Sequence, residues 1–166
     1  MANEQNKSGS YLSFKLGEEI FAVHVNDVLN ILEMTKITSI PKAPKYLKGV
    51  INLRGMVLPV VDARIKFNMD DTEFTTNTCI IVMDLEYNKE LVHVGFIVDQ
   101  VLEVLELDKD TIEPAPSLGS NYKAEFITGM ARANDEFVML LNMAKIFSLD
   151  EMSILQSENA SKTDAK

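Results

Sequence analysis

The chain has little of several residue types, and each shortage argues against a class of protein. Only one of its 166 residues is cysteine, so a disulfide framework is excluded and a reducing cytoplasm is the expected compartment. A metal site needs three or four convergent ligands, whereas the two histidines and one cysteine are scattered through the chain and are better interpreted as ordinary strand residues. The polar first residues hold no apolar signal core, and no run approaches the roughly twenty apolar residues that cross a bilayer. We therefore expect a cytoplasmic protein without a metal.

Positive charge is scarce as well. The chain carries 16 Lys and Arg against 25 Asp and Glu, which is a formal net charge of −9 at pH 7. Nucleic acids and anionic membrane surfaces are bound through clustered Lys and Arg. The only basic stretch, Lys42, Lys45 and Lys48, is typical of a solvated loop. We expect neither nucleic acid nor a membrane surface as a partner.

The signatures of enzyme chemistry are also missing. The sequence contains no Gly-x-Ser-x-Gly elbow, no Gly-x-x-x-x-Gly-Lys-[Ser/Thr] loop and no Gly-x-Gly-x-x-Gly turn. The two acidic residues most suggestive of a catalytic pair, Asp62 and Asp99, are better interpreted as helix N-caps. His24 and His93 lie in predicted strands. We predict no catalytic residue and no cofactor, and an enzyme is the weaker hypothesis.

What the chain does contain is an internal repeat. Residues 25–33 (VNDVLNILE) match residues 98–106 (VDQVLEVLE), and in the same register Lys36 falls on Lys109. After a short insertion Gly49 falls on Gly129. Residues 58–67 (LPVVDARIKF) then fall on 138–147 (VMLLNMAKIF). This agreement of residue types in a fixed register indicates a duplicated unit.

Alternation of apolar and polar residues dominates both copies and predicts strands. Each unit has about five short strands, and closing each set into a small barrel removes the exposed sheet edges. We therefore predict an all-β dominated fold. It consists of two five-stranded β-barrels related by a pseudo-twofold repeat, with short helices and a C-terminal helix. The groove between the barrels is a natural binding site.

Several local features carry separate predictions. Pro59 cannot donate a ladder hydrogen bond, which places its strand at a sheet edge or a bulge. The repeated segment also fits a short helical turn capped by Asn26 or Asp99, and its β-branched residues leave strand or helix open. Ser148 and Glu151 have the spacing of a capping box before the C-terminal helix. The polar tails, residues 1–9 and 157–166, are predicted to be disordered.

Arg54 is the most suggestive candidate for a binding role. It lies at a predicted hairpin tip beside the apolar strand Met56, Val57, Leu58 and Pro59. An arginine in such surroundings is a common interface anchor, because its planar guanidinium binds carboxylates while its stem packs on apolar surface. A surface arginine paired within the fold is an equally good interpretation of the same residues.

The same residues carry a resemblance to a known family. The run 48–55 (KGVINLRG), followed by 57–62 (VLPVVD) and 64–67 (RIKF), closely resembles the CheW family of chemotaxis adaptors. Residues 94–99 (VGFIVD) and 127–129 (ITG) fit the same pattern.

The resemblance covers roughly residues 10–156 and implies one CheW-like domain. It implies two intertwined SH3-like barrel subdomains, at approximately 20–75 and 76–150, with no catalytic activity. CheW-like proteins couple transmembrane chemoreceptors to the histidine kinase CheA, whose regulatory domain has a similar fold. The cytoplasmic tip of the receptor would dock in the groove between the barrels. The protein would then be recruited to membrane-associated receptor arrays without entering the membrane.

The resemblance also implies site residues. The receptor-binding set is Leu12, Val25, Val28, Ile31, Val98 and Val101. The kinase-binding set is Arg54, Met56, Val57, Leu58 and Pro59. Val25 and Val98 fit a barrel core equally well, and Asn30 stands where relatives often carry an acidic residue, so a charge pair there is in doubt.

Two alternatives are weighed against the adaptor. The same fold occurs as the regulatory domain of CheA and fused to a receiver domain in CheV proteins. A stand-alone adaptor is expected here, because no kinase segment precedes the fold and the tail is too short for a receiver. A small enzyme or ligand carrier would need a pocket with convergent polar groups and a perturbed titratable residue. The sequence favours an aliphatic groove instead.

Overall fold

The computed structural model of the protein describes residues 9–67, 69, 73–114 and 126–161. The strands are β1 (Gly9–Leu16), β2 (Glu19–His24), β3 (Val28–Glu33), β4 (Leu47–Leu53), β5 (Met56–Asp62), β6 (Cys79–Tyr87), β7 (Glu90–Val98), β8 (Gln100–Leu107), β9 (Ile127–Ala133) and β10 (Glu136–Leu141). The α-helices are α1 (Ala63–Lys66) and α2 (Leu149–Ser161), and 3₁₀ turns span Val25–Asp27, Lys109–Thr111 and Met143–Ile146.

The strands form two curled five-stranded sheets, as predicted. The first sheet has the order β8-β1-β2-β10-β9, and the second has the order β3-β6-β7-β5-β4. Each sheet contains one parallel pair, β10 with β2 in the first and β5 with β7 in the second. The two orders superimpose when β1–β5 are exchanged with β6–β10, so the duplication seen in the sequence is a duplication of topology. No helix in the described part of the chain has the length and apolar character to cross a bilayer.

The two sheets exchange strands, and this corrects the predicted subdomain bounds. Hairpin β1–β2 lies in the first sheet, but β3, β4 and β5 lie in the second. Hairpin β6–β7 lies in the second sheet, and β8, β9 and β10 return to the first. A division of the chain at residue 75 therefore does not separate the sheets, because each repeat contributes strands to both.

Three apolar clusters hold the fold together. One lies inside the first sheet around Leu140, and another inside the second around Leu58. The largest joins the two sheets and includes Phe14 of β1 and Phe96 of β7, both almost completely buried. Burial of this shared apolar surface, which stabilises at roughly 25 cal/mol per Å², makes the two sheets one cooperative body.

Pro59 lies in an inner strand rather than at a sheet edge, and the predicted alternative, a bulge, lies beside it, where the β4–β5 register shifts between Leu47 and Gly49. β5 pairs with β4 on one side and with β7 on the other. Pro59 faces Val50 of β4, yet the amide and carbonyl of Val50 both bond to Thr38, at 2.9 Å each. On the other side the paired register with β7 begins only at Val60. On the β4 side the missing N–H is tolerated because the amide and carbonyl of Val50 already bond to Thr38.

Gly49 and Gly129, which occupy equivalent places in the two repeats, allow a passing segment of the chain to lie directly against the sheet. A Cβ on Gly49 would lie 2.1 Å from the carbonyl oxygen of Thr38, and the residue has φ of +150°. A Cβ on Gly129 would lie 3.0 Å from the carbonyl oxygen of Glu113. Both passing segments form an isolated bridge, Thr38 to Val50 and Glu113 to Met130. This explains why glycine occupies the same place in both copies.

The local predictions have mixed outcomes. Both copies of the repeated segment are strands, and only Val25–Asp27 forms a helical turn. Asp62 caps α1 by accepting from the Arg64 amide, whereas Asp99 precedes a strand and caps no helix. The capping box is confirmed, since Ser148 N donates to Glu151 Oε1 at 2.9 Å and Glu151 N to Ser148 Oγ at 3.1 Å.

The C-terminal boundary is corrected as well. Helix α2 extends to Ser161, so residues 157–161 are helical rather than disordered, because the helix remains anchored to the second sheet. Gly9 likewise opens β1. Residues 1–8 and 162–166 lie outside the described residues.

Candidate protein-binding surfaces

The two copies of the repeated motif lie where the chain passes from one sheet to the other. The turn Val25–Asp27 carries it from β2 to β3, and Asp99 carries it from β7 to β8. The first crossover is held by His24, whose Nδ1 accepts a hydrogen bond from the Asn26 amide at 3.2 Å. The second is held by Asp99, whose amide donates to the Lys15 carbonyl at 3.0 Å. Each copy of the repeat therefore lies at one of the two crossovers between the sheets.

Five of the six predicted receptor-binding residues belong to the apolar cluster shared by the two sheets or pack against it, near one or other crossover. Leu12 and Val98 are buried in the cluster shared by the sheets. Val25, Val28 and Val101 are half-buried and pack against the same cluster. We call these five residues the seam. Leu12 and Val98 form its interior, as the core interpretation expected for Val98, and the other three expose part of their side chains along its rim.

Ile31 stands apart from the seam. It lies on β3, opposite Ile81 of β6, and 43% of its surface is exposed. Its neighbour Asn30 lies beside a bulge in this pairing, and its side-chain carbonyl accepts from the Ile31 amide at 2.8 Å. Asn30 thus bonds within its own strand, and it brings no charge to this surface.

The sequence prediction missed further apolar residues on the same two strands. Leu29 on β3, and Leu102 and Val104 on β8, are exposed. β3 and β8 are the terminal strands of their sheets. On β3 the alternation contained the signal, because residues 29 and 31 fall between the half-buried residues 28, 30 and 32; on β8 residues 102 to 104 are all exposed. Exposed aliphatic side chains along unpaired strand edges are typical of a protein-binding surface.

The predicted kinase-binding set is divided by the structure. Arg54 is exposed at the tip of the β4–β5 hairpin, with φ of +55°, and Met56 is half-buried. The turn is closed by Asn52, whose Oδ1 accepts from the Gly55 amide at 3.0 Å. Val57, Leu58 and Pro59 are buried in the second sheet. Those three residues form the buried base of the hairpin, and Arg54 and Met56 are the solvent-accessible members of the set.

A buried ion-pair network, also missed, connects the two sheets. Arg64 is 1% exposed, and its Nη2 lies 3.0 Å from Asp62 Oδ2. Its Nη1 lies 3.3 Å from Asp99 Oδ1, while Asp99 Oδ2 accepts from the Gly17 amide at 2.6 Å. Both acids pair with one buried guanidinium, whose desolvation requires such partners.

A cleft of about 560 Å³ opens between the sheets beside the first crossover. Its lining includes His24, Asp27, Asp84, Glu86 and Lys145. Partial burial raises the pKa of Asp27, the charge of His24 opposes the rise, and Asp84 adds to it. No group of three or more His, Cys, Asp or Glu able to hold a metal ion occurs in the described ranges.

Helix α2 is anchored on β5 and β7. Met152 and Leu155 are buried in the shared cluster. Lys66 Nζ lies 2.9 Å from Glu151 Oε1 and 4.9 Å from the ring centre of Tyr46. Burial raises the pKa of Tyr46 to about 12, with the charge of Glu151 adding to the rise. The helix thus forms the outer support of the β4–β5 hairpin.

Comparisons with known proteins fit this geometry. The family model described as a CheW-like domain matches residues 10–151. The chain is 32% identical over 147 residues to the chemotaxis protein CheW of Klebsiella aerogenes, covering 89% of this chain and 86% of that protein. It is 32% identical over 146 residues to CheW of Rhizobium meliloti, covering 88% and 92%. The crystal structure of the scaffolding protein TtCheW from Thermoanaerobacter tengcongensis is similar with a TM-score of 0.75 and 28% identity, covering 87% of this chain and 95% of that one.

Proposed function

The chain belongs to the CheW family of chemotaxis scaffold proteins, and from that premise we propose that it couples chemoreceptors to a histidine kinase of the CheA type. In this role it binds two proteins and catalyses no reaction. It works in the cytoplasm and is held at the membrane only through the receptors. The observation that carries the proposal is that accessible apolar and cationic residues lie on two different surfaces of one rigid body.

The receptor surface comprises the rim of the seam and the outer face of β3. Val25, Val28 and Val101 offer half-buried aliphatic side chains, and Ile31 offers an exposed one. A helical hairpin of the receptor fits such a surface by placing apolar side chains on it at helical spacing. Leu12 and Val98 shape the surface from within, because they fix the distance between the sheets.

The kinase surface comprises the tip of the β4–β5 hairpin. Arg54 presents an exposed guanidinium, and Met56 presents a half-buried thioether beside it. An exposed arginine next to apolar surface can bind a partner carboxylate through two parallel hydrogen bonds while its aliphatic stem packs on the partner. Because this surface is separate from the seam, both partners can be bound at once, and each weak contact raises the effective concentration for the other.

Co-sedimentation with receptor-bearing membranes tests the proposal. We expect the protein to sediment with the membranes alone and, in larger amount, with the cognate kinase added. Ile31→Glu should abolish sedimentation with receptors but keep kinase binding, and Arg54→Ala should do the reverse. Both side chains are exposed, so both variants should fold. A folded wild-type protein that binds neither partner would refute the adaptor function.

The cleft beside the first crossover supports a second candidate, a ligand carrier. Its polar lining and the raised pKa of Asp27 are the features expected of a small-molecule site. The two candidates separate cleanly. A carrier would bind its ligand less tightly after Asp84→Asn and equally well after Ile31→Glu. An adaptor would still sediment with receptor membranes after Asp84→Asn and would fail to do so after Ile31→Glu.

A further inference from the structure

The parallel pairing of β5 with β7 stops one rung early, and Pro59 is the reason. The observed register places Val60 opposite Gly95, so continuing it back by two residues places Leu58 opposite His93. In a parallel ladder that rung would consist of two hydrogen bonds, from the His93 amide to the Val57 carbonyl and from the residue-59 amide to the His93 carbonyl. Proline has no amide hydrogen, so the second bond cannot form.

The side chain of Asn159 on α2 occupies the broken rung. Its Nδ2 donates to the carbonyl oxygen of Val57 at 2.8 Å. Its Oδ1 accepts from the amide of His93 at 3.3 Å. One carboxamide thus takes both backbone groups that the direct bond would have paired. A side-chain amide is suited to this place because it carries one donor and one acceptor, as a peptide group does.

The alternative, an unfilled rung, would be costly at this place. Val57 is 8% exposed, and a buried carbonyl without a partner loses its hydration with nothing in return. Val57 follows Met56 directly and lies three residues from Arg54. The position of the β4–β5 hairpin therefore depends on a residue more than a hundred positions away in the chain.

We propose that Asn159 is a positioning residue for the kinase surface: at the rung that Pro59 leaves incomplete it bridges the Val57 carbonyl and the His93 amide, and so holds the β4–β5 hairpin at a fixed angle to the sheet. This inference rests on the proposed function for the identity of the partner, but the bridge itself can be tested without one. Other contacts of α2, such as Gln156 Nε2 to Glu90 Oε1 at 3.1 Å, lie outside the rung and provide a control.

Amide hydrogen exchange tests the bridge on the full-length protein alone. In Asn159→Ala the His93 amide should exchange faster, by about tenfold for the loss of one buried hydrogen bond. The Asp62 amide, bonded to the Tyr46 carbonyl at 2.8 Å at the other end of β5, should be unchanged. Gln156→Ala should change neither. Equal His93 exchange in wild type and Asn159→Ala would overturn the bridge.

Pro59→Val provides the rescue. With an amide restored at residue 59, β5 can pair directly with β7, so Asn159→Ala should cost less stability in the Pro59→Val protein than in wild type. Urea denaturation of the four proteins measures this coupling. Additive effects would mean that the two residues act independently and would count against the inference.

Partner binding then tests the positioning role. Asn159→Ala should weaken binding of the full-length kinase about fivefold, while sedimentation with receptor membranes stays within about twofold. Faster His93 exchange with unchanged kinase binding would confine Asn159 to stability and refute the positioning role. If Asn159→Ala does not fold, Asn159→Asp replaces it, since it keeps the acceptor for His93 and loses only the donor to Val57.

Failure of the proposed function gives a different result. In that case the folded wild-type protein would itself not bind the kinase, whatever the behaviour of the His93 amide in Asn159→Ala.

Discussion

Arg64 and Asp99 join the two sheets through a buried ion pair, with Arg64 Nη1 3.3 Å from Asp99 Oδ1. Arg64 follows the end of β5, and Asp99 stands next to Val98 at the second crossover. The pair therefore connects the strand that carries the proposed kinase surface with the joint that carries the proposed receptor surface.

Removing this guanidinium should be costly. Arg64→Leu leaves the completely buried Asp62 carboxylate without its cation, and such a loss destabilises a protein by about 3–5 kcal/mol. Asp99→Asn should cost about 1 kcal/mol, because Asp99 is partly solvated and the amide oxygen can still accept from Gly17. Urea denaturation measures both, with the exposed Asp108→Asn as the neutral control. Equal stability of Arg64→Leu and wild type would contradict the role of the network.

Glu151 should make stability depend on pH in one direction. Burial alone would raise the pKa of Glu151, but hydrogen bonds from Lys66 and Ser148 and the charge of Lys66 outweigh it and lower the pKa below 4.5. Because the folded pKa is depressed, the stabilisation is complete above the ordinary pKa and is lost as pH falls through the folded value.

The measurement is a comparison of unfolding free energies at pH 7 and below pH 4. Glu151→Gln should lower the stability by about 1 kcal/mol at pH 7 and have little effect at the acid end. A constant difference between the two proteins at all pH values would show that the charge of Glu151 is not the cause.

Burial distinguishes two members of the predicted kinase-binding set, Leu58 and Arg54. Leu58→Ala should destabilise by about 2–5 kcal/mol, because Leu58 is completely buried in the second sheet. Arg54→Ala should change stability by less than about 0.5 kcal/mol, because the side chain is exposed. Thermal unfolding of both variants is the check. A strongly destabilised Arg54→Ala would mean that this arginine supports the fold rather than a partner.

Gly49 should be far less replaceable than Gly55. Gly49→Ala places a Cβ 2.1 Å from the Thr38 carbonyl oxygen, and we expect a loss of at least about 2 kcal/mol. Gly55, with φ of +84°, has no atom within 4 Å of its added Cβ, so Gly55→Ala should cost only about 1 kcal/mol of backbone strain. We expect Gly49→Ala to melt at a lower temperature than Gly55→Ala, and the reverse order would contradict this prediction.

Local patterns predicted local structure well. The spacing of Ser148 and Glu151 indicated the start of α2, and Asp62 was recognised as a cap, because each depends on hydrogen bonds within a few residues. The receptor-binding set is implied by resemblance, and five of its six members belong to the apolar cluster shared by the two sheets or pack against it. Their role in binding stays a prediction.

Non-local pairing explains the errors. A missing amide hydrogen predicts an edge or a bulge for Pro59, and nothing near it in the chain shows that Asn159 bridges the incomplete rung. The polarity of residues 157–161 predicts a disordered tail. Their helix is stabilised by contacts with β5 and β7 that the local composition does not contain.

Repetition and apolar alternation are properties of the order of residues, so a duplicated, mainly β unit can be predicted from them, and the motif around Arg54 carries the resemblance to the CheW family. Which strands share a sheet, which of the predicted site residues reach the surface, and which polar side chains are structural depend on the tertiary structure. Those properties depend on pairings between segments distant in the chain, such as Asn159 with Val57, and each pairing is stable only when the rest of the fold has brought its partners together.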